Sequence, residues 1–76
     1  MKKLTQKQAN IYVFIKAHIK DKGMAPTAVE IGEEFDVYPN GAWLHVQALI
    51  KKGAVTYTAG KTRSIVPVKG YRMQVK

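Results

Sequence analysis

Residues 38–53 read YPNGAWLHVQALIKKG, and the punctuation of this stretch decides the fold. Pro39 suits the first helical turn, where its missing N–H costs nothing, and Gly53 suits the left-handed residue that closes a helix. The stretch therefore predicts one helix of about four turns. Projected at about 100° per residue, Ala42, Val46, Leu49 and Ile50 form one stripe, while Asn40, Leu44, Gln47 and Lys51 form the opposite one. The apolar stripe belongs to a core. The opposite face offers an amide, a leucine, a glutamine and a lysine, a surface that makes sense only if something binds there. Trp43 lies on the flank, about 75° from the centre of the apolar stripe. Two readings stay open for it: a cap on the core against the segment that follows, or an exposed contact.

Upstream, Thr27 and Glu30 make a Thr-x-x-Glu capping box that starts a short helix to about Phe35, directing Val29, Ile31 and Phe35 toward the core. Met24-Ala25-Pro26 before it is extended, because a residue preceding proline avoids the helical region. Glu30, Glu33 and Glu34 bring to mind acid–base or hard-metal chemistry. No His or Asp stands at a supporting spacing, so they read as a solvated face with charge that complements the helix dipole. Asp36-Val37-Tyr38 is a tight connection into the helix quoted first. A short helix, a brief turn and a second helix with an uncharged-to-basic outer face form a helix-turn-helix.

Further upstream, Thr5 and Gln8 form another capping box. Ile11, Tyr12, Ile15, His18 and Ile19 then repeat at helical spacing until Gly23 stops the helix. His18 borders the apolar side as a hydrogen-bonded structural histidine. Downstream of Gly53 the period becomes alternating, with Val55 and Tyr57 against Thr56 and Thr58. A turn at Ala59-Gly60-Lys61 follows, and then Ile65 and Val66 before Pro67. This predicts a β-hairpin wing whose tip carries Lys61, Thr62 and Arg63, with Pro67 at an edge or at the end of pairing. Residues 69–76 read as a third strand on the hairpin, a dimerising strand or a frayed tail. The expected fold is α+β, a winged helix-turn-helix of three helices followed by a hairpin, in one domain spanning residues 1–76.

Composition narrows the function. Seventy-six residues without cysteine allow neither disulfides nor a thiolate metal site, so packing must supply the stability, with self-association as an aid. Two histidines are too few for zinc, and no cofactor or metal is expected. The basic start lacks an apolar run long enough for export, and no stretch approaches the roughly 20 apolar residues of a membrane span. A cytoplasmic protein is expected. The net charge of +8 is lopsided: six lysines nearly cancel all five acids through Tyr38, while seven Lys and Arg and no acid follow from Pro39 onward. An acid-free half faces a polyanion more readily than it serves solubility alone, because solubilising surfaces mix both signs. No nucleophile–base pair, metal set or phosphate loop supports an enzyme or a small-molecule substrate.

Residues 4–66 resemble the N-terminal DNA-binding domain of the LexA repressor family, a winged helix-turn-helix. The resemblance rests on Leu4, Thr5 and Gln8 at the first helix, on Gly23, Met24, Pro26 and Thr27 before the second, and on Glu30 and Ile31 within it. It continues with Pro39, Asn40, Ala42, His45, Ala48 and Leu49 in the third helix, Lys52 and Gly53 after it, and Gly60 and Arg63 in the wing. It implies that the third helix enters the major groove of double-stranded DNA in a bacterial, phage or plasmid-encoded regulator. Trp43 and Leu44 stand where the family usually has two acids, and the turn before the helix is one residue shorter, so a different operator is expected. In full-length repressors a C-terminal domain dimerises and cleaves its own chain at an Ala-Gly bond with a Ser-Lys pair. Here the single serine is Ser64 and the one Ala-Gly pair, Ala59-Gly60, lies in the wing, so no self-cleavage is expected.

The expected base contacts are Tyr38, Asn40, Gly41, Trp43, Leu44 and Gln47, with Asn40 suited to adenine and Leu44 or Trp43 to thymine methyl groups. Thr27, Lys51, Lys52, Lys61, Thr62 and Arg63 are expected on the DNA backbone. One small module reads one half-site, so a homodimer or adjacent copies on DNA are expected. The alternative is a protein-interaction module in which Trp43 and Leu44 dock a partner protein and the charge attaches DNA without preference.

Overall fold

A computed structural model describes residues 2–76. Three helices, α1 (Gln6–Lys22), α2 (Ala28–Phe35) and α3 (Pro39–Lys51), precede two short strands, β1 (Val55–Thr56) and β2 (Val66–Pro67). The strands are antiparallel, with Val55 opposite Pro67 and Thr56 opposite Val66. The chain is a winged helix-turn-helix.

The helix boundaries follow the local chemistry of the caps. Thr5 and Thr27 each accept from the backbone N–H three residues on, while the side chains of Gln8 and Glu30 accept in return from the cap N–H. Each box satisfies two donors that a helix start leaves free. Gly23 closes α1 and Gly53 follows α3, both with positive φ. Leu4, Ile11, Ile15, Ile31, Val46, Leu49, Val55 and Ile65 join in one core, each contributing about 1.5–3 kcal/mol by leaving water.

Three expectations are corrected. Val29 is exposed, whereas Ile31 is fully buried and Phe35 packs against the core. Val29 and Ile31 sit about 200° apart on the helix and cannot share a face. Glu30 is not a free solvated acid but is bonded to Arg63. The C-terminal segment does not extend the hairpin. Instead the Leu4 N–H donates to the Gln74 carbonyl (2.7 Å) and the Lys76 N–H donates to the Leu4 carbonyl (2.9 Å), a parallel clasp between the two ends of the chain. Tyr71 reinforces it by meeting Tyr12 edge-on at 5.4 Å, and burial, with Tyr71 alongside, raises the Tyr12 pKa.

His18 is a structural histidine, as its position on α1 suggests. It is buried, and its Nδ1 lies 2.8 Å from the Met24 carbonyl, fastening the extended segment that leads into α2.

Candidate nucleic-acid interface

The turn between α2 and α3 sets the aim of α3. Asp36 takes a left-handed conformation at the end of α2 and gives its N–H to Gly32, and the Val37 N–H donates to the same carbonyl at 2.9 Å. Gly32 makes this convergence possible. A Cβ there would stand 2.5 Å from the Val37 carbonyl oxygen. Sequence reasoning passed over Gly32; its one signal is a glycine inside a helical run, which costs about 1 kcal/mol against alanine unless a close approach requires it.

With α3 so placed, Ala42, Val46 and Leu49 are buried and Ile50 packs against the core, while Tyr38, Asn40, Leu44, Gln47 and Lys51 are exposed. Leu44 keeps 66% of its surface in water, far more than a core leucine would. The Tyr38 side chain makes no capping bond to α3, so the start of the helix has no side-chain acceptor from its N-cap residue for the N–H groups that a helix leaves free there. Gly41 is half-buried, and an added Cβ would meet only the Val37 Cβ, at 3.8 Å.

Trp43 is half-buried and meets Tyr57 of the hairpin at 4.8 Å and 68°. Of its two readings, the structure favours the cap against the wing. The pair forms a wall between two surface depressions. One runs along α3 past Leu44, Gln47 and Lys51, and the other runs past Thr27, Lys61, Thr62 and Arg63 beside the N-terminus of α2.

The wing is less regular than an ideal hairpin, since the strands pair for two residues each and residues 57–65 loop between them. Ser64 organises that loop. Its buried hydroxyl accepts from the Thr58 N–H (3.1 Å) and lies within donating distance of the Thr58 (3.0 Å) and Lys61 (2.9 Å) carbonyls. Sequence reasoning noticed Ser64 only as a solitary serine.

Three residues expected on the DNA backbone are committed within the chain. The Arg63 guanidinium donates to both Glu30 carboxylate oxygens (2.8 and 3.3 Å) and to the Ala25 carbonyl (3.0 Å), tying the wing to the start of α2. Arg63 donation, followed by the Thr27 N–H, lowers the Glu30 pKa to about 2. The His18 Nε2 stands 4.0 Å from the same carboxylate. Lys52 reaches the other way and donates to the Lys3 carbonyl (2.9 Å) and Gln8 Oε1 (2.7 Å). The Thr27 hydroxyl is occupied in its capping box. Long side chains pair wherever the fold brings an acceptor, and the acceptors of Arg63 and Lys52 are too distant in sequence for any local spacing to reveal. Lys51, Lys61 and Thr62 remain exposed, without a side-chain hydrogen bond or ion pair among the described residues.

No helix is long and apolar enough to cross a membrane among the described residues. The same residues contain no cluster of three His, Asp or Glu arranged to hold a metal ion.

A second helix of the helix-turn-helix with an exposed, acid-free outer stripe, flanked by a basic wing and oriented by a glycine-dependent turn, defines a DNA-binding module of the winged helix-turn-helix class. Residues 1–64 match the LexA DNA binding domain, and the chain belongs to that family. It is 45% identical over 69 residues to the LexA repressor of Thermosipho melanesiensis, covering 91% of this chain and 35% of that protein. Against the LexA repressor of Leptospira interrogans serovar Lai, identity is 43% over 65 residues, covering 86% and 32%. Against LexA repressor 1 of Pseudomonas putida it is 46% over 66 residues, covering 86% and 33%. The chain thus spans about a third of the length of these bacterial relatives, and the match lies in their DNA-binding part.

Proposed function

We propose that this domain reads sequence in double-stranded DNA as a transcriptional repressor or regulator, with α3 in the major groove and the wing on the backbone. The observation that carries the reading is the stripe of Asn40, Leu44 and Gln47, exposed and uncharged on the face of α3 away from the core. Asn40 and Gln47 offer the donor–acceptor pair that matches adenine. Tyr38 and Gly41 lie at the same helix start, where a phosphate or base edge comes close. Lys51, Lys61 and Thr62 hold phosphates. The repressor assignment draws on the names of the relatives. A second copy on an adjacent half-site supplies the affinity that one small module lacks.

Selection from random duplexes at a stated salt concentration, with sizing of the complexes, tests this. Asn40→Ala or Gln47→Ala changes the preferred sequence at a cost of about 1–3 kcal/mol. Lys51→Ala with Lys61→Ala weakens all sequences alike and flattens the salt dependence by about 0.9 for each phosphate no longer neutralised. Selection that yields no consensus refutes the reading and favours a protein-docking role for α3. That alternative has less support in the fold, because Trp43 is packed on Tyr57 rather than presented beside Leu44 as an anchor.

A further inference from the structure

We propose that Leu44 reads the 5-methyl group of a thymine lying between the base pairs addressed by Asn40 and Gln47; this rests on the DNA-reading role of α3. A leucine 66% exposed at the middle of an otherwise polar stripe is not among the hydrophobic residues packed in or against the core, and most of its surface is open to a partner. The Trp43 indole, the other apolar group nearby, is turned onto Tyr57. That leaves Leu44 to project, with the Trp43–Tyr57 wall and Gln47 bordering the depression beside it. Charge selects the occupant. From Pro39 onward there is no acid, and Lys51 stands on the same outer stripe, so a polyanion is admitted at the place where the apolar side chain projects.

Within the major groove the thymine methyl is the apolar feature a leucine can meet. Helical rise places Leu44 about 6 Å along the axis from Asn40 and about 4.5 Å from Gln47. At about 3.4 Å per base step, both distances are under two base pairs. Leu44 therefore addresses a pair next to, or one removed from, each amide-read position.

The test uses the full chain and the duplex recovered by selection. Each thymine is replaced in turn by 2′-deoxyuridine, which deletes the methyl and keeps every hydrogen bond. Wild type is expected to lose about fourfold in affinity at one position, within two base pairs of those altered by Asn40→Ala and Gln47→Ala. Leu44→Ala, exposed and therefore safe for folding, is expected to bind both duplexes equally at that position. Indifference of wild type to every thymine-to-uracil change overturns the proposal while leaving sequence-specific binding intact. So does a Leu44→Ala variant that keeps the uracil penalty, or one that alters self-association without changing the uracil profile. Absence of any selected sequence refutes both this proposal and the reading beneath it.

Discussion

Replacing Gly32 with alanine tests the geometry that orients α3. In most helix interiors the change stabilises by about 1 kcal/mol. Here the new Cβ would lie 2.5 Å from the Val37 carbonyl oxygen and 3.5 Å from the Pro39 nitrogen. Even a weak C–H···O approach needs about 3.3 Å, so the turn must open by several tenths of an ångström. Both obstacles are backbone and cannot rotate aside, and the Asp36 and Val37 N–H groups converge on the Gly32 carbonyl. Overpacking costs about 1–3 kcal/mol. Taken at its upper end and offset by the propensity gain, the net loss is about 1–2 kcal/mol, a fall in Tm of roughly 4–16 °C for a domain of this size. Urea and thermal unfolding followed by circular dichroism measure it. Gly41→Ala is the matched control: its Cβ meets the Val37 Cβ at an ordinary 3.8 Å, so it gains up to about 1 kcal/mol, and it weakens DNA binding if the backbone approaches the duplex there. A Gly32→Ala protein as stable as wild type would refute the role assigned to the turn.

Three further outcomes are expected. Because the folded Glu30 pKa is about 2 against an ordinary 4.5, its contribution to stability is present above about pH 4.5 and is lost as pH falls toward 2; Glu30→Gln should flatten acid unfolding in that window, and an unchanged acid profile would contradict the Arg63 pairing. Lys52→Met should lower stability by removing the bonds to Lys3 and Gln8 while leaving the salt slope of DNA binding as in wild type, in contrast to Lys51→Ala and Lys61→Ala. The Tyr71 hydroxyl is buried without a hydrogen-bond partner among the described residues, so Tyr71→Phe should be neutral or stabilising by up to about 1 kcal/mol in denaturant titration.

What was legible in the sequence was local. Thr5 with Gln8 and Thr27 with Glu30 specify helix starts within four residues, and Pro39 and Gly53 bracket α3. The exposed face of α3 follows from its 3.6-residue period. What the sequence hid was long-range or steric. Arg63 finds Glu30 across 33 positions and Lys52 finds Lys3 across 49, and Leu4 pairs with Val75 at the opposite end of the chain. The consequence for function is direct. The acid-free half suggested a broadly basic DNA surface, yet Arg63 and Lys52 are bonded within the fold, and Lys69, Arg72 and Lys76 belong to the segment that returns to the N-terminus. Lys51 and Lys61 carry the charge that α3 and the wing present.

The most direct test of the central claim is a titration of the isotopically labelled protein with the selected duplex, followed residue by residue through its amide resonances. The account predicts shifts concentrated at Tyr38, Asn40, Gly41, Leu44, Gln47 and Lys51 and at Lys61 and Thr62 of the wing, with Val13, Met73 and Val75 unmoved. Shifts centred on Val13 and the terminal clasp, with the outer face of α3 silent, would contradict it.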